Sequence, residues 1–343
     1  MAKRKKERIW DRIASKKKFS KRDYFNLTRA IMIIVAALMV VSFAVFFAIA
    51  YFSNGGIGKV FNYMLTANGI IYLLAFLFEF LSIFIRFFKW EYYMKVLGID
   101  IPIFKNFMIY LSLYSMNLTP GKIGRVVSAY SINKVSKHKL FGLLPIVSFD
   151  IFTDFLGYVL LSLILVVIFP SYIPILIPID IIMLLPFSFI ISPWLFNIIK
   201  KNVFRGRFSD LFAFYGDEYF AAQSKLNNKK VYFISAIFTL PAAIMTSLSV
   251  YFTTQALGIH SDVLKSILIY VVSAMVGIAS LIPGTIGSAD LTMTTLIANN
   301  FNVVNTLSAA ATIMIRVSTL WFGVILGTIF LFYTFRYWKN SKI

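Results

Sequence analysis

The chain contains no cysteine among its 343 residues and only two histidines. Without cysteine it has no disulfide framework, no thiolate nucleophile and no sulfur ligand for zinc or an iron–sulfur cluster. His138 and His260 lie far apart in the sequence, so no histidine pair has the spacing of a metal site. We therefore expect no metal ion and no cofactor.

Charged residues are also scarce, at 14% of the chain compared with about 25% in soluble domains. Hydrophobic residues make up 59%, and the mean hydropathy is +0.80. Acidic residues are the scarcer of the charged residues. The chain has 14 Asp and Glu residues and 34 Lys and Arg residues, which gives a net charge of +20. This composition is typical of a polytopic membrane protein with basic cytoplasmic loops, and it argues against a nucleic-acid partner.

Apolar runs predict where the chain crosses the membrane. Residues 1–29 hold 12 basic residues and form a predicted cytoplasmic tail, whose charge either sets the topology or adheres to anionic lipid. The run 30–52 is 23 residues long, and about 20 residues suffice to cross the hydrocarbon. Further apolar runs lie at 66–89, 104–118, 140–169, 175–199, 231–254, 264–282 and 305–337.

Two of these runs end in a Pro-Gly pair within a shared pattern, P-G-x-I-G. The pattern comprises Pro120, Gly121, Gly124, Pro283, Gly284 and Gly287. Proline breaks a helix and glycine permits a sharp reversal, so a second short helix can begin just beyond. We predict re-entrant helical hairpins at 104–133, entering from the cytoplasm, and at 264–299, entering from outside. Reading each segment as two full spans needs helices of only about 14 residues, fewer than a crossing requires.

The spacing of these segments predicts an internal repeat. The two Pro-Gly turns begin at positions 120 and 283, and the flanking runs start at 66 and 231, and at 140 and 305, so the offset between matching segments is nearly constant. The order span, span, hairpin, span thus occurs twice, in opposite orientations. We predict an all-α polytopic membrane protein with six full spans and two re-entrant hairpins in an inverted repeat, with both termini cytoplasmic. Its predicted parts are the tail 1–29, a first repeat 30–169, a second repeat 175–337 with a cytoplasmic linker 200–230, and a C-terminal tail 338–343.

The distribution of basic residues favours this orientation. Of the 34, 29 fall on the predicted cytoplasmic side, in the N-terminal tail, in 86–105, 134–139 and 200–230, and after the last span. This count treats Arg86 and Lys89 as loop residues. The positive-inside rule then places both termini in the cytoplasm.

Seven ionisable residues fall inside the predicted membrane segments and are the candidate site. They are Glu79, Lys122, Arg125, Asp150, Asp154, Asp290 and Arg316. Such residues are costly in a bilayer and therefore mark function by default. In each half, the hairpin and the following span carry opposite charges. The sequence leaves two interpretations open: buried ion pairs that hold the bundle together, or a polar cavity that admits a charged head group.

The hairpins favour an anionic ligand. Each returning half-helix begins near the midplane, where its free N–H groups and dipole attract negative charge. Lys122 and Arg125 add positive charge beside the first turn. A cavity of this kind that is open sideways to lipid suits the head group of a phospholipid or of a polyprenyl phosphate.

These motifs resemble the flippase-like membrane-domain family of the lysylphosphatidylglycerol synthases, which includes the N-terminal domain of the bacterial multiple peptide resistance factor. The resemblance covers about residues 30–337. The residues that match the family pattern are Pro120, Gly121, Gly124, Asp150 and Asp154 in the first half, and Pro283, Gly284, Gly287, Asp290, Arg316 and Trp321 in the second. Arg125, Ser128 and Ile151 stand where the family has an acid, a base and an arginine.

The resemblance implies an eight-segment membrane fold and translocation of a lipid, such as an aminoacylated phosphatidylglycerol or a lipid-linked sugar. Only five residues follow Trp338, so we expect no aminoacyl-transfer domain and no enzymatic activity. Head-group synthesis would then need a separate lipid-modifying enzyme. The expected partners are membrane lipids, chiefly anionic ones, and the expected location is the plasma membrane.

Two other functions remain open from the residues alone. An ion-coupled transporter of a small anion would use Asp150, Asp154 and Glu79 to carry the coupling ion or proton. An intramembrane prenyltransferase would use a motif similar to Asp150-x-x-x-Asp154 to bind Mg²⁺ and diphosphate, but the sequence has no second copy of that motif.

Overall fold

The computed structural model describes residues 21–53, 56–119, 122, 124–125, 127–136, 138–191 and 218–340. All regular elements in these ranges are helical, which confirms the all-α class. The helices are α1 (Lys21–Phe52), α2 (Gly56–Thr66), α3 (Gly69–Val96), α4 (Ile103–Ser112), α5 (Val127–Ser136), α6 (Leu140–Ile168), α7 (Ile173–Ile191), α8 (Lys229–Ala256), α9 (Val263–Ala279), α10 (Ser288–Phe301), α11 (Asn305–Arg316) and α12 (Phe322–Asn340).

Several predictions fall wholly or partly outside the described residues. They concern Pro120 and Gly121, most of the N-terminal tail, the greater part of the linker 200–230, and the last three residues. The backbone of residues 21–32 is described as the first part of α1, and residues 218–226 form a further helical stretch.

Four helical segments are long and apolar enough to cross a membrane. They are Gly69–Val96, Leu140–Ile168, Lys229–Ala256 and Asn305–Thr334. The last joins α11 to α12 through a π-helical turn, Val317–Trp321. A fifth candidate consists of α1 and α2, which are bent by 106° relative to each other. The chain is therefore a membrane protein with four or five candidate spans, and the total of six stays a prediction.

The second predicted hairpin is an antiparallel pair of helices. Lys265 Nζ, at the start of α9, donates to the carbonyl oxygen of Asn300 near the end of α10, at 3.4 Å. At the opposite end, the hydroxyls of Ser280 and Ser288 lie 2.9 Å apart. The helices are joined at Pro283–Thr285, so the chain reverses where the Pro-Gly pattern predicts.

The tips of both hairpins contain residues in the left-handed region of backbone space. Lys122 has φ 58° and Thr285 has φ 58°, and each stands two positions after the proline of its copy of the shared pattern. This conformation costs a residue other than glycine about 1–2 kcal/mol. Gly284 (φ 62°) and Gly287 (φ 88°) adopt it without that cost. A residue other than glycine therefore adopts this conformation at the same position of the pattern in both hairpins.

Helices α3 and α8 have the same length, and the same residue types stand at both of their ends. Each has 28 residues. Asn68 and Asn228 cap their N-termini by accepting backbone N–H groups of the first turn. The sequence Leu-Gly-Ile follows each helix directly, at 97–99 and 257–259, with the glycine at φ 73° and 72°. Along the sequence, the two asparagine caps are separated by the same number of residues as the two Leu-Gly-Ile segments. The repeated Leu-Gly-Ile is a sequence signal that the hydropathy pattern did not reveal.

The two matching helices pack side by side in opposite directions. The backbone N–H of Asn68, before α3, donates to the carbonyl of Ala256 at the end of α8, at 2.8 Å. Midway along, Ser82 Oγ donates to the carbonyl of Ala242 at 2.7 Å. Ser82 and Ala242 are separated by the same offset as Asn68 and Asn228, so equivalent positions meet at the centre of the pair.

Small residues allow helices to approach closely at several contacts, as is usual between membrane helices. A Cβ atom added to Gly327 of α12 would lie 2.3 Å from the backbone nitrogen of Ser115, next to the tip of the first hairpin. A Cβ atom on Gly277 of α9 would lie 2.7 Å from Thr285 Cβ in the second tip. The positions of both hairpin tips therefore depend on glycine in a neighbouring helix.

Gly327→Ala should destabilise the protein, because the new methyl group meets backbone that cannot move aside. Overpacking of this kind costs about 1–3 kcal/mol. The matched control is Gly142→Ala in α6, where nothing lies within 4 Å of the added atom. Thermal unfolding of the purified protein in detergent should show a lower midpoint for the first variant and an equal or higher one for the second. Equal midpoints would contradict the close contact.

Candidate functional site

Arg86 and Lys89, assigned from the sequence to a cytoplasmic loop, lie within α3. That interpretation was wrong because α3 continues to Val96, ten residues beyond Arg86, where the predicted loop began. Arg86 is 6% exposed and Lys89 0%. Two of the basic residues counted as orientation charge are thus buried inside the helix bundle.

These two cations bind the paired aspartates of α6. Lys89 Nζ lies 3.1 Å from Asp150 Oδ1 and 2.6 Å from Asp154 Oδ1. Arg86 Nη1 lies 2.5 Å from Asp154 Oδ1. Asp150 and Asp154 are four residues apart, so both carboxylates project from the same face of α6, as their spacing predicts.

The first hairpin joins this network through Arg125. Its Nη1 lies 3.2 Å from Asp150 Oδ2, and its Nε donates to Asn117 Oδ1 on the other side of the hairpin turn, at 2.9 Å. The guanidinium also lies over the ring of Tyr114, 5.2 Å from its centre. Arg125 therefore fastens the tip of the first hairpin to the middle of α6.

The second hairpin is fastened in a similar way by Arg316. Its Nε lies 2.5 Å from Asp290 Oδ1, and its Nη2 donates to the carbonyl of Gly284 at 3.1 Å and to Thr285 Oγ1 at 3.0 Å. A π-helical turn follows Arg316 directly, and such turns occur frequently at functional sites. In both halves, the charges of opposite sign predicted on the hairpin and on the following span contact each other.

The expectation of free N–H groups at both returning half-helices needs correction for the second hairpin. Asp290 lies in the first turn of α10, where its Oδ2 accepts the backbone N–H of Gly287 at 2.7 Å. The side chain of Asp290 therefore already supplies negative charge at this helix end. Any attraction for an external anion is consequently weaker here than the sequence suggests.

A cavity of about 140 Å³ lies between the two hairpin tips. It has room for about ten water molecules, or for a group of the size of a phosphate ester. Its polar wall includes five of the seven candidate residues and several neighbours. These wall residues are Glu79, Lys122, Arg125, Asp154 and Arg316, together with Arg86, Tyr114, Asn117, Thr119, Tyr158, Thr246, Tyr270 and Thr285. Asp150 and Asp290 do not line it but are ion-paired with residues that do.

The cavity lies at mid-height of the spanning helices. Glu79 is near the middle of α3, Asp154 is near the middle of α6, and Arg316 is near the middle of the span Asn305–Thr334. Thr119 and Gly284, from the two hairpin tips, line the same space. The tips therefore reach the interior of the bundle instead of its ends, as a re-entrant arrangement requires.

One wall of the cavity is apolar and faces outward. Leu281 and Ile282, beside the second tip, line the cavity although they are 70% and 43% exposed. We expect apolar side chains that are exposed at mid-height of a membrane protein to contact lipid chains. The cavity thus borders both buried charges and the expected lipid phase.

Two charged groups of opposite sign in the cavity lack an ion pair. In the described part of the chain, Lys122 Nζ has no carboxylate within 4 Å, and it lies 5.7 Å from the centre of the Phe155 ring. Glu79 likewise has no cation within that distance, and its Oε2 has no hydrogen-bond partner in the described ranges. Every other buried charged side chain of the cavity wall is ion-paired.

Sequence analysis missed Arg86 and Lys89 as site residues. The available signal was helical spacing, because Glu79, Arg86 and Lys89 recur at intervals of seven and three and so share one face of a helix. The roles of the seven predicted residues in binding stay predictions. Within the described ranges, no group of three or more His, Asp or Glu side chains is arranged to hold a metal ion.

Lys89→Met should strongly destabilise the protein, because it leaves two buried carboxylates with fewer cations. Breaking a buried ion pair costs about 3–5 kcal/mol. The control is Lys139→Met, since Lys139 is paired with Glu218 but its side chain is 80% exposed, and such a pair contributes at most about 1 kcal/mol. Unfolding free energies of the two variants measure the difference. Similar small losses in both would show that the buried network does not hold the bundle together.

Comparison with known proteins identifies the family. The lysylphosphatidylglycerol synthase TM region family matches residues 33–327, which is most of the chain. The chain therefore belongs to this family, as the sequence motifs indicated. No curated protein sequence matches it. Membership in the family, together with the apolar helices, relates the chain to lipid handling in a membrane.

Proposed function

We propose that this member of the lysylphosphatidylglycerol synthase TM region family transports a lipid across the membrane, with the anionic head group bound in the cavity between the hairpin tips. The observation that carries the proposal is the position of the Lys122 amino group, whose charged form a bound anion would stabilise. It lines the cavity, inside the helix bundle, without an ion-pair partner in the described part of the chain. An uncompensated cation in a low-dielectric site strongly favours an anion.

The balance of charge around the cavity supports an anionic ligand. Five cations, Arg86, Lys89, Lys122, Arg125 and Arg316, are accompanied by four carboxylates, Glu79, Asp150, Asp154 and Asp290. The site thus carries a net positive charge even with every carboxylate ionised. A net positive charge in an enclosed site favours binding of an anion.

The apolar wall favours a lipid over a free anion. Leu281 and Ile282 border the cavity and are exposed towards the expected acyl-chain region. A head group can occupy the polar side while its chains leave across these residues. A soluble anion has no acyl chains to make apolar contacts with this wall, so the wall adds nothing to its binding free energy.

An inverted repeat would supply the movement that such transport needs. The antiparallel packing of α3 and α8, with equal lengths and matching ends, supports a repeat related by a two-fold axis in the membrane plane. In transporters built this way, the two repeats move against each other around a central site. We propose this architecture here, with both termini cytoplasmic and the plasma membrane as the location.

One observation favours the second candidate, an ion-coupled transporter of a small anion. A cavity of about 140 Å³ also fits free phosphate, and Glu79 is available to carry a proton. The intramembrane prenyltransferase has less support, because Asp150 and Asp154 are occupied by ion pairs with Lys89, Arg86 and Arg125. We propose that the chain itself carries out no catalysis and that any head-group synthesis belongs to a separate enzyme.

Mass spectrometry of lipids that co-purify with the protein tests the proposed site. The wild-type protein should retain anionic phospholipid or polyprenyl phosphate. Lys122→Met should reduce the retained anionic lipid about tenfold or more, because a hydrogen bond to a charged group contributes about 1.5–3 kcal/mol. The control is Lys95→Met, since the Lys95 side chain is 70% exposed near the end of α3, away from the cavity.

A transport measurement separates the two candidate functions. Vesicles that contain the protein and a fluorescent phosphatidylglycerol should expose inner-leaflet lipid to an added quencher faster than protein-free vesicles. Lys122→Met should slow this exchange and Lys95→Met should not. Uptake of radioactive phosphate without lipid exchange would instead favour the small-anion transporter, and the absence of both activities in folded protein would contradict both.

A further inference from the structure

Glu79 is a buried carboxylate of the cavity wall that takes part in neither ion-pair network. It lies on α3, is 7% exposed and lines the cavity. Its Oε2 has no hydrogen-bond partner in the described ranges, and its polar neighbour is the hydroxyl of Thr246. At the equivalent place on α8, found with the offset that relates Asn68 to Asn228, the chain has Thr239. A carboxylate is therefore not needed for packing at this position of the repeat.

The surroundings of Glu79 are dominated by cations. Arg86 and Lys122 line the same cavity as Glu79, and Arg86 is already paired with Asp154. Lys122 has no partner of its own among the described residues. Apart from Arg86 on its own helix, the charged and titratable groups that face the same cavity are Tyr114, Lys122 and Arg125 from the first hairpin, Asp154 and Tyr158 from α6, Tyr270 from α9 and Arg316 from α11.

This arrangement makes the ionised form of Glu79 the counter-ion of the empty cavity. With no ligand present, its carboxylate balances the otherwise uncompensated charge of Lys122 across the polar space. A bound phosphodiester places a second negative charge in the same enclosed space. Two anions that close together repel strongly at low dielectric, and protonation of the carboxyl group removes the repulsion.

We propose that binding of an anionic phosphodiester head group beside Lys122 is coupled to protonation of Glu79, so that the head group replaces the carboxylate as counter-ion. This inference rests on the proposed head-group site and adds the proton to it. One proton from solution binds the Glu79 carboxylate as one monoanionic head group enters, and it leaves as the head group is released. The net charge of the cavity is the same in both states.

The coupling fixes how binding depends on pH. If each head group binds together with one proton, its affinity falls about tenfold for each unit of pH above the value at which Glu79 ionises in the empty cavity. Protons and lipid would move in the same direction, so a pH gradient would drive the lipid towards the side to which protons flow.

Calorimetric titration of the full chain in detergent tests the coupling. The probe is dioctanoyl phosphatidylglycerol, whose phosphodiester remains a monoanion through neutral pH. Measuring the heat of binding in two buffers with different ionisation enthalpies counts the protons taken up. Above the pH at which Glu79 ionises in the empty cavity, wild-type protein should take up about one proton per lipid. Glu79→Gln should bind lipid with about none and with little dependence on pH.

The matched control is Asp180→Asn. Asp180 is also buried, accepts a hydrogen bond from Ser162 at 2.6 Å and has an unpartnered Oδ1, but it does not line the cavity. This variant should keep the wild-type proton uptake. If Glu79→Gln does not fold, Glu79→Thr copies the residue at the equivalent position of α8. Glycerophosphoglycerol, the same head group without acyl chains, shows whether the coupling belongs to the lipid or to any phosphodiester.

The outcomes separate this inference from the function on which it rests. Lipid binding without proton uptake in the wild type, or equal uptake in Glu79→Gln, would overturn the coupling and leave the head-group site standing. Loss of proton uptake in Asp180→Asn would also overturn it. Failure of folded wild-type protein to bind the lipid at all would overturn the proposed site itself.

Discussion

The ion pairs between α3, α6 and the first hairpin are the interaction on which the arrangement of this protein depends. Lys89 contacts both Asp150 and Asp154, and Arg125 brings the hairpin tip to the same carboxylates. Inside a bilayer little water is available to solvate such groups, so partners within the protein stabilise buried charges. This stabilisation holds a broken segment of chain at mid-height, where a hydrophobic contact alone would not specify its position.

Much of this arrangement can be predicted from the sequence, and the rest depends on contacts between distant residues. The two breaks follow from local chemistry, because proline and glycine act on their immediate neighbours. The end of α3 did not follow, because hydropathy ends a span at the first charges. Arg86 and Lys89 are tolerated inside this helix only because the acids that neutralise them lie on α6, far along the chain. No pattern within α3 alone carries that information.

The described parts of the two hairpins share a left-handed residue two positions after the proline but differ in how their charges are satisfied. In the second, Asp290 caps its own helix and forms an ion pair with Arg316. Arg316 also donates hydrogen bonds to the carbonyl oxygen of Gly284 and to the hydroxyl of Thr285 in the turn. In the first, Arg125 is fully engaged whereas Lys122, at the position equivalent to Thr285, is not. In the described part of the chain, the first hairpin therefore contributes a basic residue without an ion pair to the shared cavity, and the second hairpin does not. We attribute fixation of the bundle to the paired charges, and ligand binding to the pair left over, Lys122 and Glu79.

The contact between Ser82 and Ala242 has a consequence for motion. Two equivalent positions can touch only where the symmetry axis that relates them passes, and in the proposed repeat that axis runs through this hydrogen bond. If the two repeats exchange conformations, residues far from the axis move furthest and residues on the axis stay in place. Ser82, which also accepts hydrogen bonds from Thr246 and Arg86, would then lie on the axis of the movement and keep its position. On α3, Glu79, Arg86 and Lys89 lie within two helical turns of Ser82, so a rocking movement about this point would displace them little.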